Sequence, residues 1–272
     1  MLRLVASLAL VAVAVPVLAC RGERLPPQPV LAAAQADVVV AGTVVEIADD
    51  VTMAKSHPDA VDEMAYTVAT VRIESALLGA KNLTHVRVAV PMGSLDRAGA
   101  PFRQDGKFLF FLQRHPTTML MLPSYAHPPV DLNRPGASDI LRRVTVATAA
   151  MTDPVKALTA ADPEDRTLAA IALAQRYRRI PAAPKGHEAV DRPAEESRLL
   201  LFAALAEAEW TGSGTPETGN IYGLLHGLGL EQQGFNFKGL NSPDPVQELK
   251  GRFAKWIAAD GKAARMKHFV AK

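Results

Sequence analysis

DVVVAGTVVEI, spanning Asp37–Ile47, is a β-branched run with a single glycine, Gly42, inside it. β-branched side chains are stiff at χ1 and pack well on a pleated surface, so the run predicts a strand. A glycine within a strand marks a bulge or bend. Working outward, YTVATVRIESA (Tyr66–Ala76) places Val71 and Ile73 on one side and Arg72 and Glu74 on the other. Val86, Val88 and Val90 alternate with His85, Arg87 and Ala89 until Pro91 ends the pattern. KFLFFLQ (Lys107–Gln113) is continuously apolar and follows Asp105-Gly106, a turn signal. Met119–Leu122 is expected to add a fifth strand. Five short strands with no crossover helix between them predict an antiparallel barrel or sandwich.

From about Ser138 the period becomes helical. Asp162-Pro163-Glu164, Thr215-Pro216-Glu217 and Asp244-Pro245 each pair a capping side chain with proline at the first helical position. Leu168, Ile171 and Ala172 share one helical face. So do Leu199, Phe202, Ala203 and Ala206 within Pro193–Trp210, and Ile221, Leu224, Leu225 and Leu228 further on. Val246, Leu249, Phe253, Trp256 and Ile257 form the last apolar stripe, with Gly261 as its stop. The fold class expected is α+β: a β-domain over residues 36–137, then a helical bundle or short solenoid over 138–272.

The chain opens MLRLVASLALVAVAVPVLAC, with Arg3 ahead of an uncharged run from Leu4 to Ala19. That run falls short of the ~20 apolar residues of a bilayer-spanning helix and matches the core of a secretory signal over residues 1–19. Val17-Leu18-Ala19-Cys20 resembles the lipobox of bacterial lipoproteins, in which the cysteine is lipidated and becomes the mature N-terminus. The competing reading is an ordinary signal peptide that ends near a cysteine, which makes the protein secreted. Cys20 is the only cysteine, so no internal disulfide exists and lipid attachment gives that residue a role. RGERLPPQP follows, and residues 20–35 read as the attachment point and an extended tether. The cell envelope is the expected location, with the membrane reached through lipid on Cys20.

A net charge of only +2, with acids and bases interspersed, lacks the basic stripe of a nucleic-acid partner. Chemistry-bearing motifs are equally sparse. His187-Glu188-Ala189-Val190-Asp191 echoes the H-E-x-x-H zinc motif, yet the segment lies between Pro184-Lys185-Gly186 and Pro193 and reads as a loop. Gly212-Ser213-Gly214 lacks the spacing of a nucleophile elbow. The Gly223–Gly229 stretch has no Lys-Ser/Thr to hold phosphate, and His226 within it reads as a residue at the core edge. Asp49, Asp50, Asp59, Asp62 and Glu63 gather carboxylates in one connection without calcium-loop spacing. Neither catalytic residues nor a metal site nor a cofactor is expected.

Several segments together resemble the netrin-like domain of tissue inhibitors of metalloproteinases. They are Cys20, Ala36-Asp37-Val38-Val39, Tyr66-Thr67-Val68, Leu77-Leu78-Gly79, Val86-Arg87-Val88, and Gly106-Lys107 before Phe108-Leu109-Phe110. The resemblance implies an OB-like barrel, and in that family the mature cysteine's free amine and carbonyl chelate a protease's zinc. This chain lacks the family's disulfide cysteines, has Arg21-Gly22 where the family has Cys-x-Cys, and would lose the free amine on lipidation. The helical half resembles helical-repeat modules, which bind other proteins. The leading expectation is therefore a non-enzymatic binding or scaffolding module with an unidentified envelope protein as partner. The alternatives are a metalloproteinase inhibitor acting through Cys20, and an enzyme whose site is assembled from dispersed residues.

The lipobox reading predicts that Cys20→Ser releases the protein from membranes or leaves it unprocessed. Fractionation with intact-mass measurement checks this, and unchanged mass and membrane association would refute it.

Overall fold

The structure is a computed structural model that describes residues 28–56, 59–92, 103–123, 128–177, 187–191, 195–210, 221–239, 242–264 and 267–271. After a short helix, α1 (Pro29–Gln35), come β1 (Val38–Ile47), β2 (Thr52–Lys55), β3 (Glu63–Leu78) and β4 (His85–Pro91). They are followed by β5 (Lys107–Arg114), β6 (Met121–Pro123) and β7 (Val130–Asp131). The order β1-β3-β4-β6-β5, closed by β5 pairing back onto β1, makes a five-stranded barrel; β2 extends β3, and β7 pairs with β5.

The barrel is mixed, which corrects the expectation of an all-antiparallel sheet. Val88 of β4 pairs in parallel with Met121 of β6, and every other contact around the ring is antiparallel. Parity requires this: five strands cannot alternate in direction around a closed ring, so one seam must join two that run the same way.

β1 and β5 have their two faces in different cores. Val38, Val40 and Val44 of β1 join Phe108, Phe110 and Leu112 of β5 inside the barrel. Val39, Ala41, Leu109 and Phe111 point the other way, into one buried cluster with the helices. Burial on both faces is why KFLFFLQ shows no alternation. Gly42 sits at a register shift, as its place in the run predicts. A Cβ there would lie 2.4 Å from the Arg72 carbonyl oxygen and 2.8 Å from a Val71 methyl, so the strand can bend against β3 only without a side chain. At the other end of β3, Gly79 turns at φ +67°, with room for no Cβ beside the Asp37 carbonyl. Across β1, the Thr43 hydroxyl donates to Glu74 at 2.7 Å and the Lys107 ammonium lies 3.3 Å from the same carboxylate. The Thr43 hydrogen bond, with Lys107 behind it, holds the Glu74 carboxyl below its usual range. That contribution is complete above the ordinary carboxylate range and disappears as pH falls through the lowered value.

The second half contains α2 (Ala137–Thr152), α3 (Pro154–Leu158), α4 (Pro163–Arg176), α5 (Glu195–Glu207), α6 (Ile221–Gly227) and α7 (Pro245–Asp260). Capping acts as the sequence predicts: Asp162 accepts from the Glu164 amide at 2.8 Å, and Asp244 from the Gln247 amide at 3.0 Å. Asp153 caps α3 in the same way. The helix start expected at Thr215 lies outside the described residues. α4 is the hub, buried continuously from Leu168 to Gln175 and packed against α1, α2, α3, α5 and α6.

Two apolar stripes differ from expectation. On α5 the buried residues include Leu201, Phe202, Ala204 and Leu205, while Ala203 is exposed; on α7 Val246 is exposed and Leu249, Phe253 and Trp256 are buried. In an alanine- and leucine-rich helix nearly every face is apolar, so neighbouring helices choose which one turns inward.

Residues 29–35 are not tether. PVLAAAQ is apolar on all sides and forms the buried helix α1 against α2 and α4. The Arg176 guanidinium donates to the carbonyls of Ala34 and Ala36 at 3.3 and 3.2 Å, satisfying acceptors that a helix end leaves open. Nor is His187–Asp191 a loop: it forms β8, paired antiparallel with β9 (Lys267–Ala271) in the register His187↔Ala271. Local proline and glycine signals cannot reveal a partner at the far end of the chain.

Phe111→Ala should cost about 3–5 kcal/mol, the usual range for emptying a large aromatic site. Both tryptophans lie in the helical half, so their fluorescence midpoint in urea should fall together with the strand signal of circular dichroism. A fluorescence midpoint that stays put would show that the two halves unfold independently.

Candidate functional site

The helices pack on the outer face of β1 and β5, and among the described residues the exposed apolar side chains gather at one end of the barrel. That end is built by the β2–β3 hairpin, by the start of the connection after β4, and by the turn between β5 and β6. Met53 pairs with Ala65 and Met64 with Ala54 across the hairpin. The Met92 amide donates to the Ala65 carbonyl at 2.8 Å, which sets Met53 and Met92 on either side of a small alanine. Thr117 ties the β5–β6 turn to this end by donating from its hydroxyl to the Lys55 carbonyl at 2.9 Å.

The surface here is apolar. Among the described residues nine large hydrophobic side chains are exposed, and six of them belong to this end: Val51, Met53, Val61, Met64, Met92 and Met119, the last 97% exposed. Met53 and Met92 share one face of the hairpin and Met64 lies on the other, and apolar exposure concentrated at one end of a barrel marks an interaction surface. Five of the chain's eight methionines fall between residues 53 and 121. Unbranched and polarizable thioethers suit a surface that must adapt to what it touches. Around them stand Asp49, Asp50, Asp59, Asp62 and Glu63, all exposed, with Lys55 the one cation described between residues 48 and 64.

Beneath the patch, Ala54, Tyr66, Val68, Ala89 and Leu120 form a small separate core. His115 is 3% exposed and meets the Tyr66 ring edge-on, with centroids 5.3 Å apart. Its Nδ1 accepts from the Thr117 amide at 3.3 Å, so the neutral ring carries its proton on Nε2. Nε2 is buried and has no hydrogen-bond partner among the described residues. A buried donor without an acceptor ordinarily costs about 1–3 kcal/mol.

Elsewhere, an open groove of about 480 Å³ is lined by Phe235, Trp256, Lys238, Arg252 and Lys255 among others. Its Arg252 guanidinium is already occupied by the carbonyls of Lys238 and Gly239 and by Glu248, and Lys238 faces Glu231 at 3.7 Å. Arg252 therefore braces this segment rather than offering itself to an anion.

Cys20 and Gly212-Ser213-Gly214 lie outside the described residues. His187, Glu188 and Asp191 are in β8, paired with β9. His226 is exposed, its ring 5.5 Å from that of the buried Phe237, at the edge of the core as expected. No group of three or more His, Cys, Asp or Glu side chains that could hold a metal occurs among the described residues, and no helix there is long and apolar enough to cross a membrane. The methionine patch was missed by motif reading because it has no spacing rule; the local excess of methionine was the available signal. Comparison with protein-family models, with curated proteins and with solved structures finds no match for this chain.

His115→Phe removes the orphaned donor and keeps the edge contact with Tyr66. It should leave stability within about 1 kcal/mol of the parent, as apolar replacement of an unpaired polar group does. A loss above about 2 kcal/mol by urea titration would mean that Nε2 has a partner holding it in place.

Proposed function

We propose that the protein is an exported, lipid-anchored binding module of the cell envelope, and that its methionine-bearing barrel end is the surface that binds. The observation that carries this is the exposed methionine and valine patch, held by a barrel whose opposite strand pair is locked into the helical core. The anchor is supported by Val17-Leu18-Ala19-Cys20 and the proline-rich segment after it. Because α1 is buried from its first residue, any tether after Cys20 ends near Gln28. At no more than about 3.6 Å per residue, the folded body then stays within roughly 30 Å of the lipid.

The barrel's finer type, in this reading, is OB. Its strand order with a single parallel seam suits a five-stranded Greek-key barrel of that kind, and OB barrels bind ligands with the loops after their first and fourth strands. The corresponding connections here are residues 48–62 and 115–120, the two that carry most of the patch. Inhibition of a metalloproteinase requires a free amine on Cys20, which lipidation would acylate and so remove as a zinc ligand.

A photo-crosslinking residue at Met53 or Met119, in cells, should give one discrete adduct in the envelope fraction. The same residue at Leu83, exposed but outside the patch, should give none. Equal labelling from all three positions, or from none, would overturn the assignment of the binding surface.

A further inference from the structure

Resting on the binding-module reading, we infer that the methionine-bearing barrel end takes a basic, amphipathic segment of another polypeptide. The apolar part of the surface is formed by Met53, Met92 and Val51 at the β2–β3 hairpin, with Val61 in its loop and Met119 in the β5–β6 turn, all exposed; Met64 is exposed on the hairpin's other face. Thioether side chains re-pack around differently shaped apolar groups at little cost, so the patch accepts a row of aliphatic or aromatic residues without a dedicated pocket. The rim then decides the charge of the occupant. Asp49, Asp50, Asp59, Asp62 and Glu63 are exposed beside the patch, and Lys55 is the single described cation in that connection. None of these five carboxylates is engaged in a described salt bridge with a lysine or arginine. They form a negative field over an apolar floor, which speeds the approach of a cationic partner and repels an anionic one.

The same field separates a polypeptide from the other apolar occupant, a lipid surface. Bacterial-type and other anionic bilayers carry negative surface potential, and proteins that dock on them present lysine and arginine beside their apolar groups. Here the signs are reversed. Nucleic acid is disfavoured for the same reason, since its phosphates would face carboxylates. A segment with lysine or arginine on one helical face and leucine-like residues on the other satisfies both parts of the surface together.

The test uses the full mature protein and synthetic peptides with leucine at helical spacing. One peptide has lysine on its polar face, one has glutamate, and one has the leucine and lysine scrambled so that no apolar face forms. Binding is read by fluorescence anisotropy, alongside sedimentation with anionic phospholipid vesicles. The amphipathic lysine peptide should bind at least about tenfold more tightly than either control, a difference of about 1.4 kcal/mol, and should weaken as salt is raised. Met53→Asp with Met119→Asp should abolish this binding, whereas Leu83→Asp with Val246→Asp should not. Asp59→Lys with Asp62→Lys and Glu63→Lys should reverse the preference toward the glutamate peptide. Equal binding of all three peptides, or capture by vesicles that Met53→Asp with Met119→Asp abolishes, would overturn the inference; capture that survives those substitutions is the work of the lipid on Cys20. If the lysine peptide fails while the crosslink from Met53 persists, the occupant's chemistry is wrong and the binding surface stands; loss of both removes the surface as well.

Discussion

The β1–β5 pair is buried on both faces, and the rest of the molecule is arranged around that condition. A strand covered on one side needs one apolar neighbour; a pair covered on two sides must find a second layer. The barrel interior supplies the first with Val71, Val88 and their neighbours. The second comes from α1, α2, α4 and the helices beyond them, in one cluster that reaches to Phe253 and Trp256. Solvating the outer face of Leu109 and Phe111 would expose two large side chains, each worth about 1.5–3 kcal/mol when fully buried. The helical half is therefore part of the barrel's own stability and not an appendage to it.

That arrangement also determines where a partner has access. One outer face of the barrel is spent on helices, and Gly42 allows β1 to bend tightly against β3. At the end built by the β2–β3 hairpin and the β5–β6 turn, the chain exposes methionines among carboxylates. Its floor holds a histidine whose Nε2 lacks a partner among the described residues. Exposed apolar side chains gathered at one place, on a scaffold otherwise well packed, mark a surface that binds.

Much of this was legible before any coordinates. Alternation over Tyr66–Ala76 and Val86–Val90 located β3 and β4, because a strand exposed on one side must alternate. The Asp-Pro pairs located α4 and α7, because a side-chain acceptor followed by proline satisfies a helix start locally. Where pairing is distant or every face is apolar, local signals fail. His187–Asp191 becomes a strand only through Lys267–Ala271, and PVLAAAQ looked like a tether because nothing beside it in sequence shows what buries it. The patch escaped notice for a similar reason, since its six side chains come from four separate stretches of chain.

Composition, periodicity and caps by themselves determined an α+β chain, a set of short strands ahead of helices, and a single cysteine set at a lipobox-like site. Those properties depend on residues close in sequence. Only the tertiary structure decided that the ring closes through a parallel β4–β6 seam, that residues 29–35 belong to the core, and which end of the barrel exposes its methionines. Each depends on which distant segments exclude water from one another, and burial is a property of the whole packed chain rather than of any stretch within it.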